Sequence, residues 1–413
     1  MLAFLFIISN SIMFTSSLAY APKTGYVEFP YFLKYEISFM WFLLAIIYTL
    51  TSSRMRLKKN KIEELYIYTV PAIIMAASII VSIMINHLSG DYLSRSISNL
   101  ICMFAILFGV YAAVTFFGNK AIDYTFYGLL LSTILNIIYT SYLYGFGNVI
   151  SALLNIFSIV RFGYEDGSLM SNIGYSLEVS DATFAYGFYF IYYFCFCKKG
   201  KFRFRRLFLT TLGIYVGLKR IEVFAILLAM AVYYLFERRK VNIKKLQNVF
   251  FIIIMVISFV YIYVIKYHTE VFAFLDIHRV SLYSTIKSMF TISPLYIGKG
   301  YGYVNKWLSD VGATMWILSA SHSEVVRMYI ELGFCGFLLW IGYYTKLIPK
   351  YFLKKGNDRI GKIVLCMTVY IMTTYLIDNT LMLFATQFCF MLIPLAEGHG
   401  DVRHTHIVFN KRS

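Results

Sequence analysis

Charge is what this sequence has least of. Only 14% of its 413 residues are Asp, Glu, Lys or Arg, while 59% are hydrophobic and the mean hydropathy is +0.68. A soluble globular chain carries about 25% charged residues, so that class is excluded. Acidic residues are scarcest, 21 against 38 basic ones, giving a formal net charge of +17. That excess does not point to nucleic acid. The basic residues stand in clusters between apolar runs, the pattern of loops on the cytoplasmic side of a membrane. Cysteine is sparse as well, and all six (Cys102, Cys195, Cys197, Cys335, Cys366, Cys389) fall inside or at the end of apolar runs. This argues against a disulfide frame, and Cys195 and Cys197 are too few ligands to hold zinc by themselves. There is no internal repeat and no low-complexity segment.

What the chain has in abundance is apolar stretches of helix-spanning length. About twelve recur, most near the ~20 residues a membrane helix needs; the two that flank Lys219 and Arg220 are short and read as a hairpin with a tight turn. They are 2–20, 31–52, 65–88, 96–118, 121–144, 183–197, 207–219, 221–236, 248–267, 324–345, 360–377 and 379–396. The runs are continuous rather than alternating, which rules out a β-barrel. The expected fold is an all-α polytopic integral membrane protein, with residues 1–413 as one membrane domain. Met1–Tyr20 lacks the basic start and the small-residue cleavage site of a signal peptide, so it is read as the first span. With the N-terminus in the cytoplasm, every large basic cluster lands on one side: 54–61, 198–206, 238–245, 346–362 and 403–412. Both termini are then cytoplasmic. Two long extracytoplasmic loops follow from this topology, at 145–182 and 268–322. Long loops that are not Pro-, Ser- or Gly-rich linkers tend to carry function. Within the first, Asn148–Phe162 has the spacing of an amphipathic interfacial helix.

The informative charges are those that break this rule, because each costs insertion energy. Lys219 and Arg220, in "GLKRIEVF", sit in a tight outer turn with Glu222 just behind. They either blunt a hairpin tip as an ion pair or form an anion site. In "DIHRVSLYSTIKSMF", Arg279 and Tyr283 share one face of a short helix. Arg279 either snorkels to the interface or grips phosphate in a bidentate way. "SPLYIGKGYGYV" follows, with Gly298, Gly300 and Gly302 alternating, and reads as a glycine-rich turn rather than a nucleotide loop. Finally, Ser321 and Glu324 have the spacing of a capping box that would start a helix at His322. Glu324, Arg327 and Glu331 then stack on one helix face. Arg327, between two carboxylates, is either a structural bridge or part of a cationic site, and His322 is either structural or, as a neutral imidazole at a helix start, a group that takes a proton from a hydroxyl. Together, Lys219, Arg220, Arg279, His322 and Arg327 suit an anionic lipid headgroup at the outer leaflet, a lipid pyrophosphate being the obvious one.

At these residues the chain resembles the Wzy-type O-antigen and capsular polysaccharide polymerases and the related O-antigen ligases. The resemblance covers mainly Gly217–Phe337. It rests on the basic outer hairpin "GLKRIEV", on Arg279 ahead of "PLYIGKGYG", and on "HSEVVRMYIELGFCG", which supplies His322, Glu331, Gly333 and Gly336. Ser323 stands where the family has asparagine, and Val326 where it has leucine. The resemblance implies a metal-independent glycosyltransferase without cofactor, in the bacterial cytoplasmic membrane. It would join undecaprenyl-pyrophosphate-linked repeat units, beside a chain-length regulator protein and with no nucleic acid involved. His322, Arg220 and Arg279 would be catalytic; Lys219, Arg327, Glu331 and Tyr283 would bind substrate. The absence of a DxD-like carboxylate cluster in the outer segments agrees with metal independence. Rival readings are an O-antigen ligase, which differs in its acceptor, and a lipid-linked oligosaccharide flippase, which would favour repeats and mid-membrane charges.

Overall fold

The computed structural model describes all residues except 16, 22–24, 29, 31, 52–65, 156–168, 179–181, 199, 218, 239–242, 275–276, 316–321, 355–357 and 399–413; for some others, Arg279 among them, it describes the backbone alone. Among the described residues the regular structure is helical but for one antiparallel hairpin, β1 (Ser17–Ala21) with β2 (Gly25–Glu28). The helices run α1 (Leu2–Phe14), α2 (Leu33–Thr51), α3 (Val70–Asn86), α4 (Gly90–Phe117), α5 (Lys120–Tyr144), α6 (Phe146–Leu154), α7 (Leu169–Glu178), α8 (Thr183–Ile191) and α9 (Lys201–Gly217). They continue as α10 (Arg220–Glu237), α11 (Ile243–Tyr267), α12 (Ile277–Ile286), α13 (Tyr303–Met315), α14 (Glu324–Gly342), α15 (Ile348–Lys354), α16 (Asp358–Ile377) and α17 (Phe384–Gly398).

Each range read as a span contains a helix, and among the described residues 6 helices are long and apolar enough to cross a membrane. These are α2, α4, α5, α11, α14 with its continuation to Leu353, and α16. Along α2 and α11, side chains such as Phe39, Leu44, Ile47, Ile252, Val256 and Val260 are exposed. A contiguous apolar surface of that kind needs lipid or protein against it. The first span is shorter than expected. α1 stops at Phe14, where Thr15 turns extended, and the next residues pair as β1. The hydroxyls explain the stop: Thr15 bonds back to Ser11 O and across to Ser132, fixing the helix end against α5.

One end of the bundle is tied by ion pairs between helix ends. Arg206 meets Asp123 at 2.6 Å, Arg359 meets Glu397 at 2.6 Å, and Lys362 meets Glu237 at 2.5 Å. Here α8 widens into a π-helix over Tyr192–Phe196, whose longer register leaves carbonyls without helical partners. Arg203 donates to Tyr193 O and Phe194 O, and Arg359 donates to Phe196 O. Arg203, Arg206, Arg359 and Lys362, members of the basic clusters, are therefore also helix-end ligands.

Candidate functional site

At the opposite end, α14 is two helices, not one. Gly333 has φ 71° and ψ −177°, outside the helical region. Eight residues rise about 12 Å along a straight helix. Across the break, however, the rings of Tyr329 and Phe337, eight apart, stand 5.4 Å centroid to centroid. Residues 324–332 thus form a short half-helix set at a bend to the next, and every one of them is buried. Non-helical backbone inside an apolar bundle is tolerated where protein covers it. The cover is the glycine loop. Lys299 N donates to Ile330 O and Gly300 N to Glu331 O, both at 2.9 Å, while Phe334 N donates to Tyr296 O at 2.8 Å. From the other side α3 holds the same loop, Ser82 Oγ donating to Lys299 O and Asn86 Nδ2 to Gly298 O.

This explains the alternating glycines. Gly298, Gly300 and Gly302 all have φ near +90°. A Cβ on Gly298 would stand 2.4 Å from Gly333 N, and one on Gly333 would stand 2.3 Å from Ile297 C and O. The two backbones touch where only hydrogen fits. The expected glycine-rich turn is thus a loop clasped to a broken helix.

Glu324, Arg327 and Glu331 share one face of the half-helix, as their spacing required, and all three are fully buried. Arg327 Nη2 pairs with Glu324 Oε2 at 2.5 Å. The guanidinium lies 5.8 Å from the centre of the Tyr301 ring. Its Nε and Nη1 have no hydrogen-bond partner among the described residues, and neither does Glu331 Oε2. The remaining carboxylate oxygens reach backbone: Leu381 N donates to Glu324 Oε1 at 3.1 Å, and Val304 N donates to Glu331 Oε1 at 3.0 Å. Burial pushes the Tyr301 hydroxyl well above its ordinary range, so a neutral ring faces Arg327.

The helix start differs from the expected capping box. Ser323 is the N-cap, its Oγ accepting from Val326 N, and α14 begins at Glu324. Ser321 lies outside the described residues. His322 has φ +48°, a left-handed conformation that cannot begin a right-handed helix, so it forms the bend just ahead of the cap. It is half-buried there. The Glu324 carboxylate is consequently free of capping duty and turns inward.

The hairpin lies at this same end. Lys219 is the residue before α10 and stands 3.8 Å from Asp378, at the end of α16. The segment that follows Asp378 carries Leu381, whose amide binds Glu324. Lys219 and the half-helix are thus joined through residues 378–381. Arg220, the first residue of α10, is exposed. Glu222 does not complete an ion pair at the tip. It is fully buried, 3.5 Å from the Tyr370 hydroxyl. Tyr283 is fully buried too, its hydroxyl 3.0 Å from that of Tyr261 and its ring against Phe272. The backbone of α12 carries Arg279, whose side chain lies outside the described residues. Among the described residues no group of three or more His, Cys, Asp or Glu is placed to hold a metal ion. Asp378 and Tyr301 were not singled out from the sequence. Asp378 ends an apolar run and carried the available signal, a lone acid in a segment read as an outer turn. Compared with known proteins, the chain matches no family model and no curated sequence.

Proposed function

We propose that this protein is a polysaccharide polymerase of the Wzy type, acting at the outer face of the bacterial cytoplasmic membrane through about twelve spans. Its donor is a growing glycan on undecaprenyl pyrophosphate, and its acceptor a single lipid-linked repeat unit. The observation that carries this reading is that the His322 bend heads a buried half-helix whose Glu324 binds the segment carrying Asp378, the partner of Lys219, with the exposed Arg220 next to Lys219. A flippase would be served by charges along a mid-depth path; the charges here that lie open to solvent gather at the helix ends.

In the proposed reaction the acceptor hydroxyl oxygen bonds to the donor anomeric carbon. The bond from that carbon to the pyrophosphate oxygen breaks, and its electron pair leaves with undecaprenyl pyrophosphate. Arg220 and Arg279 neutralise the departing charge, the kind of electrostatic help that is usually the largest contribution. Lys219 assists, its own charge shared with Asp378. His322 orients or deprotonates the acceptor hydroxyl. Arg327, Glu331 and Tyr283 are enclosed by protein and serve this reaction from behind the substrate.

The test is a gel of surface polysaccharide from cells carrying the wild-type chain, Arg220→Ala, Arg279→Ala or His322→Ala, with membrane levels checked by blot. The reading expects a ladder from wild type and single repeat units from the variants. Loss of the single units as well would favour ligase or flippase. Full ladders from all three variants would remove these residues from the site.

A further inference from the structure

Building on the polymerase reading, we infer that Glu331 and Glu324 are positioning residues, a strut that sets two substrate-facing loops at a fixed distance without touching substrate. The two carboxylates lie on one buried helix face with Arg327 between them. Each spends an oxygen on the backbone of a different loop. Glu331 takes the amide of Val304, in the first turn of α13, just after the glycine loop. Glu324 takes the amide of Leu381, three residues after the Asp378 that meets Lys219.

The half-helix therefore has a loop at either end of its charged face. On the Glu331 side, the 296–304 segment is also clasped by three backbone bonds and by α3. On the Glu324 side, Gln387 Nε2 donates to Thr380 O and to the Tyr375 hydroxyl, and the Thr374 and Thr380 hydroxyls meet at 2.9 Å. Both loops are thus rigidly backed, and the row of Glu324, Arg327 and Glu331 connects them. His322 stands two residues ahead of the row, so any shift of the half-helix moves the imidazole relative to Lys219 and Arg220. An acceptor hydroxyl misplaced by about 1 Å can cost a hundredfold in rate.

A carboxylate that acts on substrate needs its charge, whereas one that holds an amide needs only an accepting oxygen. Glutamine keeps that oxygen and alanine does not. The experiment compares wild type, Glu331→Gln and Glu331→Ala as full chains. Amide exchange is measured by mass spectrometry in lipid nanodiscs, over a peptide covering 299–304. The polysaccharide ladder is measured in cells at matched membrane levels. Glu331→Ala is expected to speed exchange of this peptide by about tenfold or more, since a buried amide loses its acceptor, and to shorten the ladder. Glu331→Gln is expected to keep both within about threefold of wild type. Glu324→Gln and Glu324→Ala should behave in the same way over 379–383.

Unchanged exchange in Glu331→Ala would overturn the strut. Faster exchange with a full ladder would overturn its role in positioning. A dead Glu331→Gln with normal exchange would show that the charge itself is needed and that Glu331 meets substrate. If the wild-type chain makes no ladder, the polymerase reading falls and the positioning role in that reaction falls with it.

Discussion

Replacing Gly333 with alanine tests the broken helix most directly. Its φ of 71° with ψ of −177° lies in a region that is essentially glycine's alone, and holding another residue there costs about 1–3 kcal/mol. The added Cβ would stand 2.3 Å from Ile297 C and O and 2.5 Å from Tyr296 O. These are backbone atoms, so no side-chain rotation relieves the overlap. The glycine loop must lift, and with it go the bonds from Lys299 N, Gly300 N and Phe334 N. At about 0.5–1.5 kcal/mol each, the total comes to about 3–7 kcal/mol. Amide exchange on the full chain in nanodiscs should therefore accelerate at Lys299, Gly300 and Phe334 by about a hundredfold or more. Gly342 supplies the control. It is helical, and a Cβ there meets nothing within 4 Å. Gly342→Ala should be neutral or stabilising by up to about 1 kcal/mol. Wild-type exchange in Gly333→Ala, or equal damage from Gly342→Ala, would refute the reasoning.

Three further outcomes follow from the same geometry. Arg327→Leu leaves two buried carboxylates without their cation and should cost about 3–5 kcal/mol, seen as a large drop in melting temperature in detergent. Asp123→Asn, at the partly exposed pair with Arg206, should cost about 1 kcal/mol or less; equal damage from the two changes would undo the burial argument. Tyr283→Phe loses the hydroxyl contact with Tyr261, about 1 kcal/mol, and should leave the polysaccharide ladder intact, whereas a lost ladder would put Tyr283 in contact with substrate.

Much of the architecture was legible because a membrane imposes it locally. A run of about 20 apolar residues satisfies its own backbone only as a helix, so the helices could be read one at a time. The hairpin at Lys219 and Arg220 was legible for the same reason, since two apolar runs separated by a pair of cations leave room only for a turn. The face shared by Glu324, Arg327 and Glu331 followed from helical period alone. The early end of α1 was not legible, because it depends on Ser132 in α5 meeting Thr15.

The sequence by itself determined the helical class and the existence and type of the helices, because composition and periodicity act over a few turns of chain, and it marked charges that stand apart from the basic clusters. Only the tertiary structure decided what those charges do. It kinked α14 at Gly333, placed the cap at Ser323, turned Glu222 and Tyr283 inward, and placed Asp378 beside Lys219. The contacts that build the site come from many residues away: Ile297 for Gly333, Val304 for Glu331, Leu381 for Glu324. Contacts of that range leave no period in the sequence, and buried polar groups take their partners from whatever packing brings within reach.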